Sequence, residues 1–120
     1  MPAQKPVRVE KPWGYELIWA HTDRYVGKIL HIAKGHALSL QYHLHKDETV
    51  HVLTGRMRFQ TAAEGAQLQE TVLGPGESFH ITPLLRHRMI AETDCDILEA
   101  STPELDDVVR LEDRYGRVAK

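Results

Sequence analysis

Residues 38–55 read LSLQYHLHKDETVHVLTG, and the two-residue period of this stretch decides how the chain folds. Ser39, Gln41 and His43 fall on one parity and Leu38, Leu40 and Tyr42 on the other, the alternation of a β-strand. The HKDE segment that follows has the composition of a turn. Beyond it, Glu48 shares parity with Val50 and Val52 on a returning strand. A hairpin here would bring the Glu48 carboxylate opposite Gln41 and His43, so three groups of metal-ligand type would converge on one inner face.

Similar strand-like runs fill the rest of the chain: WGYELIW, YVGKILHIA, RMRFQT, QLQETVL, ESFHIT, HRMIAE and CDILEAS. Gly, Pro, Asp and charged turns separate them, a rhythm that predicts an all-β sandwich or barrel. No sustained helical periodicity occurs before residue 100. Thr102 before Pro103 and Glu104 is a helix-start signal, so a short C-terminal helix is expected within residues 102–120. Residues 1–12, with Pro2, Pro6 and Pro12, read as an extended N-terminal arm.

The 120 residues, 42% hydrophobic and 27% charged, suit one domain, residues 1–120. Lys plus Arg total 15 against 17 Asp plus Glu, which gives no electrostatic footprint for nucleic acid or an anionic membrane. No apolar run reaches the length of a membrane helix, and the N-terminal stretch lacks the apolar core of a secretory signal. A cytoplasmic protein with a small-molecule partner is expected. Cys95, the single cysteine, has no partner for an internal disulfide and reads as a small residue in or near a strand. Apolar residues on both parities of several strands imply a covered outer face, and a homodimer is the favoured cover.

The spacing around the opening stretch resembles the first motif of the cupin family, G-x5-H-x-H-x4-E-x6-G. Gly35, Gln41, His43, Glu48 and Gly55 fit every interval, with glutamine for the first histidine. The second motif, G-x5-P-x-G-x2-H-x3-N, falls on Gly76, Thr82, Leu84, His87 and Ala91; the ligand position is kept, while its Pro, Gly and Asn are replaced. The resemblance implies a single-domain cupin, a jelly-roll barrel or double-stranded β-helix, with Gln41, His43, Glu48 and His87 around one divalent metal ion. A competing register takes His43 and His45 as the paired histidines. Both registers use His43, Glu48 and His87. Imidazole, carboxylate and amide donors suit Zn, Mn, Fe, Co or Ni, with Zn or Mn favoured. His21, His31, His36, His51 and His80 read as surface or satisfied residues.

Within the cupins the chain looks most like the small cupin domain of type II mannose-6-phosphate isomerases, a domain often fused to a mannose-1-phosphate guanylyltransferase. KPWGYE, LSLQYHLH, VHVLTG, PGESFHITP, RHR and LDDVVRLEDRYGR carry that likeness. It departs where those enzymes carry HHHRAEHW and this chain has HLHKDETV. The resemblance implies aldose–ketose isomerisation of a sugar phosphate through an enediol, by proton transfer between C1 and C2. His45, beside the shell, is then the first candidate for the base. Lys28 shares parity with Leu30 and Ile32, and a buried ammonium is costly without a task; it is the leading phosphate ligand and a catalytic candidate. Lys46 and Arg86 are further substrate-binding candidates. Arg56 and Arg58, alternating with Met57 and Phe59, read as outward-facing. In the tail, Asp113, Arg114, Tyr115 and Arg117 either contact substrate or fasten the C-terminus. Two other functions fit the motifs: a non-catalytic metal- or sugar-binding cupin, and a cupin oxygenase.

Overall fold

In the computed structural model, which describes residues 3–118, the alternating runs become eleven strands with no helix among the described residues. These are β1 (Val7–Lys11), β2 (Gly14–His21), β3 (Val26–Ile32), β4 (Leu40–Tyr42), β5 (Glu48–Thr54), β6 (Met57–Ala62), β7 (Gln69–Leu73), β8 (Ser78–Ile81), β9 (Arg86–Ala91), β10 (Cys95–Ser101) and β11 (Val109–Glu112). They form a six-stranded antiparallel sheet, β1-β2-β3-β10-β5-β8, facing a five-stranded one, β11-β4-β9-β6-β7. Among the described residues no helix is long and apolar enough to cross a membrane.

Strand parity sorts the inner side chains into two levels. Leu30, Ile32, Val50, Val52, Met57, Phe59, Met89, Cys95 and Ile97 are almost fully buried in one apolar cluster between the sheets. Each large side chain there contributes roughly 1.5–3 kcal/mol by leaving water. The Phe59 and Phe79 rings meet edge to face at 4.7 Å. Further along the same inner faces the residues turn polar at one level: Lys28 on β3, Glu48 on β5, His87 on β9 and Glu99 on β10, all buried. The apolar level therefore forms the floor on which a polar chamber rests.

The expected C-terminal helix is replaced by a turn at residues 105–106 and the strand β11. Thr102 uses its hydroxyl to accept the Asp47 N–H at 3.0 Å instead of capping a helix. Val108 and Val109 are β-branched, and the exposed edge of β4 offers Val109 a ladder through Tyr42, so pairing overrides the start signal. At the other end, Val7–Lys11 of the arm pairs with β2 as an edge strand.

The first and second motifs each contain a conformational demand. Gly55 has φ +92°, and a Cβ there would come within 2.2 Å of the Asp94 carbonyl oxygen, so only glycine fits. Leu84 stands where the second motif has its own glycine and adopts φ +72°. The left-handed turn survives there although its favoured residue does not.

Candidate metal centre

His43 and Glu48 flank a corner between the sheets. β4 lies in the five-stranded sheet and β5 in the six-stranded one, so the expected hairpin is corrected: the two segments face each other across the chamber. The register Gln41↔His87 makes β9, not β5, the strand neighbour of β4. What holds the corner is Asp107 from the tail, whose carboxylate accepts the N–H groups of Leu44, His45 and Lys46 at 3.0, 2.7 and 2.8 Å. Desolvation pushes that carboxyl up, yet these three donors outweigh it and hold the carboxyl down to about 2.

Three side chains meet inside. One ligand atom from each of His43, Glu48 and His87 lies within 4.8 Å of the others, and all three residues are buried. The imidazole of His43 donates from Nδ1 to the Asp107 carbonyl oxygen, and that of His87 donates from Nδ1 to the Leu85 carbonyl oxygen at 2.9 Å. Both acceptors select the tautomer whose Nε2 lone pair points inward, the outer support that metal-binding histidines require. His43 Nε2, Glu48 Oε2 and His87 Nε2 are buried without hydrogen-bond partners. The His43 Nε2 to Glu48 Oε2 approach is 3.0 Å but is not aligned as a hydrogen bond. Two lone pairs and an anionic oxygen, desolvated and aimed at one point, fit a divalent cation.

The electrostatics of this cluster follow from burial and neighbours. Burial would raise the Glu48 carboxyl, but the close His43 imidazole and the Lys46 ammonium hold it down to about 2. Desolvation pushes His87 below its ordinary value, which keeps its ring neutral and able to ligate. The Lys46 ammonium sits 3.3 Å from Glu48 and 3.0 Å from Glu99. Burial alone would lower it; the two carboxylates raise it instead. Glu99 is pushed up, first by desolvation and then by Glu48.

Beside the cluster opens a cavity of about 230 Å³, with Trp13, Lys28, Gln41, His43, Lys46 and Glu99 among its walls. Gln41 reaches it half-buried, its Oε1 accepting the Ser39 hydroxyl at 2.6 Å. Lys28 is buried, as its parity predicted, with Nζ 3.2 Å from Glu16 Oε2. Lys46 also faces in. Arg86 does not line the cavity: its guanidinium lies 4.1 Å over the Tyr42 ring and donates to the Leu84 carbonyl oxygen. His45 is exposed on the corner, outside the lining. Arg58 pairs with Glu70 on the outside, and Cys95 is a free, buried thiol.

Sequence reasoning passed over Glu16, Glu99 and Asp107. For Glu99 the signal was present, since it shares parity with Cys95 and Ile97 on β10; Glu16 likewise shares parity with Ile18.

The pattern of the Cupin domain family matches residues 28–100. The chain is a member of the cupin family. Mannose-1-phosphate guanylyltransferase ManC of Salmonella typhimurium (strain LT2) is 37% identical over 116 residues, 92% of this cupin. That protein is much longer, and the chain spans 23% of it. The match bears out the resemblance to the small cupin domain of type II mannose-6-phosphate isomerases. Among solved structures, the capsular polysaccharide assembling protein CapF from Staphylococcus aureus superposes with a TM-score of 0.76 at 17% identity, over 92% of this cupin and 33% of that chain. Oxalate decarboxylase from Bacillus subtilis does so with 0.78 at 15%, over 88% and 30%. At such identities these two show the shared fold alone.

Proposed function

We propose that this cupin holds one divalent cation, Zn or Mn, on His43, Glu48 and His87 with Gln41 as fourth ligand. We further propose that it isomerises a sugar phosphate between aldose and ketose, as a mannose-6-phosphate isomerase does. One observation carries the reading: three buried ligand atoms, none of them hydrogen-bonded, converge beside a cavity of sugar-sized volume. When bound, the cation supplies Lewis acidity toward substrate oxygens. Trp13, Leu30 and Leu38 offer an apolar wall for the sugar face. Lys28 and Lys46 present donors to its hydroxyls, and Arg86 sits farther out. Glu99 is a cavity-lining carboxyl raised by burial, and a raised carboxyl is the kind of group that can hold or move a proton. A role for His45 as the base requires the 43–47 corner to turn inward.

The non-catalytic binding reading has its own support: Lys28 and Lys46 are already matched by Glu16, Glu48 and Glu99, and His45 stands outside. Elemental analysis of the purified protein, together with interconversion of mannose-6-phosphate and fructose-6-phosphate, separates the two. Turnover that disappears with the metal in folded His43→Ala and His87→Ala supports the isomerase. Metal without turnover on a panel of sugar phosphates leaves a binding protein, and full occupancy in both variants removes the site. The same reading takes the chain to be cytoplasmic and a homodimer; Trp19 on β2 and Tyr25 just before β3 are more than half exposed.

A further inference from the structure

Five cationic side chains line the cavity: Lys11, Lys28, Lys46, Arg110 and Arg117. Four have their charge matched. Glu16 lies 3.2 Å from Lys28 and 3.9 Å from Lys11, Glu48 and Glu99 enclose Lys46, and Asp113 grips Arg117 through two hydrogen bonds of 2.9 Å. Arg110 differs. Its Nε is buried without a hydrogen-bond partner, and no carboxylate among the described residues forms an ion pair with it. Asp113 is held down partly by the Arg110 charge, but both of its oxygens are occupied by Arg117.

The sheet dictates where this side chain goes. Arg110 is the β-partner of Gln41, and Gln41 is the partner of His87. Residues in one row across a sheet point to the same side, so Arg110 enters the chamber beside Gln41. It lies two strands from His87, about 10 Å at the usual strand spacing. The Arg110 side chain is half-buried, and a guanidinium nitrogen cut off from water with its donor unused is costly. Its planar fork matches two oxygens of a phosphate or carboxylate, which a lysine ammonium cannot do.

We infer that Arg110 is the anion-binding residue of this cavity, taking the phosphate or carboxylate group of a small polyhydroxy ligand whose other end lies toward His43 and His87. This deepens the metal-cupin reading above and rests on it for the ligand's orientation. It transfers the leading anionic contact from Lys28, whose charge is already balanced, to a residue beyond the matched family segment.

The test is calorimetric titration of the full chain with mannose-6-phosphate, mannose, glucuronate and inorganic phosphate, with metal content measured on the same samples. Thermal melts verify folding of Arg110→Gln, Arg110→Lys and the surface variant Arg58→Gln. The parent should bind one of the anionic sugars about 10- to 100-fold more tightly than mannose, the range of charge-assisted hydrogen bonds. Competition by inorganic phosphate identifies a phosphate site; a preference for glucuronate without that competition identifies a carboxylate site. Arg110→Gln should erase the preference, Arg110→Lys should keep only part of it, and Arg58→Gln should leave it intact. An unchanged preference in folded Arg110→Gln, or no preference in the parent, overturns the inference. If the preference is unchanged while metal binds normally, Arg110 alone is misassigned. If the protein takes no metal yet shows an Arg110-dependent preference, the isomerase reading fails and the anion subsite stands.

Discussion

Consider the metal-free protein, kept so with a chelator, as the pH falls. Glu48 has its carboxyl held from the ordinary 4.5 down to about 2. At about 1.36 kcal/mol per pH unit of displacement, its ionisation contributes about 3 kcal/mol to folding. For a depressed carboxyl the sign is fixed: the contribution is complete above about pH 4.5 and is lost as pH drops toward 2. Glu99 works in the opposite sense, because a raised carboxyl favours the folded state once protonated, so acid relieves it at higher pH. Comparing the parent with Glu48→Gln isolates the first effect, since glutamine does not titrate. Urea unfolding of both proteins between pH 7 and 2.5 should give a stability difference that is level above about pH 5.5. Below pH 4.5 the difference should move by up to about 3 kcal/mol in favour of the variant. A difference that stays level down to pH 2.5 would show that Glu48 titrates like any surface carboxyl and that the His43, Lys46 and His87 environment described above is wrong.

Other expectations follow from single contacts. Lys46→Met leaves Glu48 and Glu99 buried together without their shared cation, which should cost about 3–5 kcal/mol in metal-free protein. Added divalent metal should recover much of that loss in a thermal melt. Asp107→Ala removes the acceptor for three corner N–H groups; stability should fall by about 1–2 kcal/mol, as when a helix cap is lost, and metal affinity by about tenfold, read by competition with a chromogenic chelator. Leu84→Gly should stabilise the protein by up to about 1 kcal/mol by relieving the left-handed backbone, whereas Leu84→Ala should not; paired urea midpoints decide.

Strands β2 to β10 were legible because buried alternation is a local property, as in VGKILHI, where Lys28, Leu30 and Ile32 point inward together. The pieces that were not legible depend on partners far away in the chain. β1 is a short, largely exposed VRVEK run that forms only because β2 lies beside it. β11 follows a helix-start signal at Thr102 and becomes a strand because β4 offers a free edge. In the site, His43, Glu48 and His87 could be found because motif spacing preserves which residues return to one level of a barrel. Arg110 carried no such mark: its inward direction comes from register with Gln41. Asp107 was equally silent, since a carboxylate that caps a distant corner reads in sequence as one more acidic residue before a turn. The hairpin expectation failed because parity specifies a face and leaves open which sheet a strand joins.

The matched family segment ends at Ala100, yet Asp107 and Arg110 both come after it. An expression fragment cut at that boundary would keep the apolar floor and all three convergent ligand atoms while losing the latch on their corner and the guanidinium beside Gln41. Grafting this module into a larger polypeptide therefore requires carrying the last twenty residues with it, because the enclosure is completed from outside the segment by which the module is recognised.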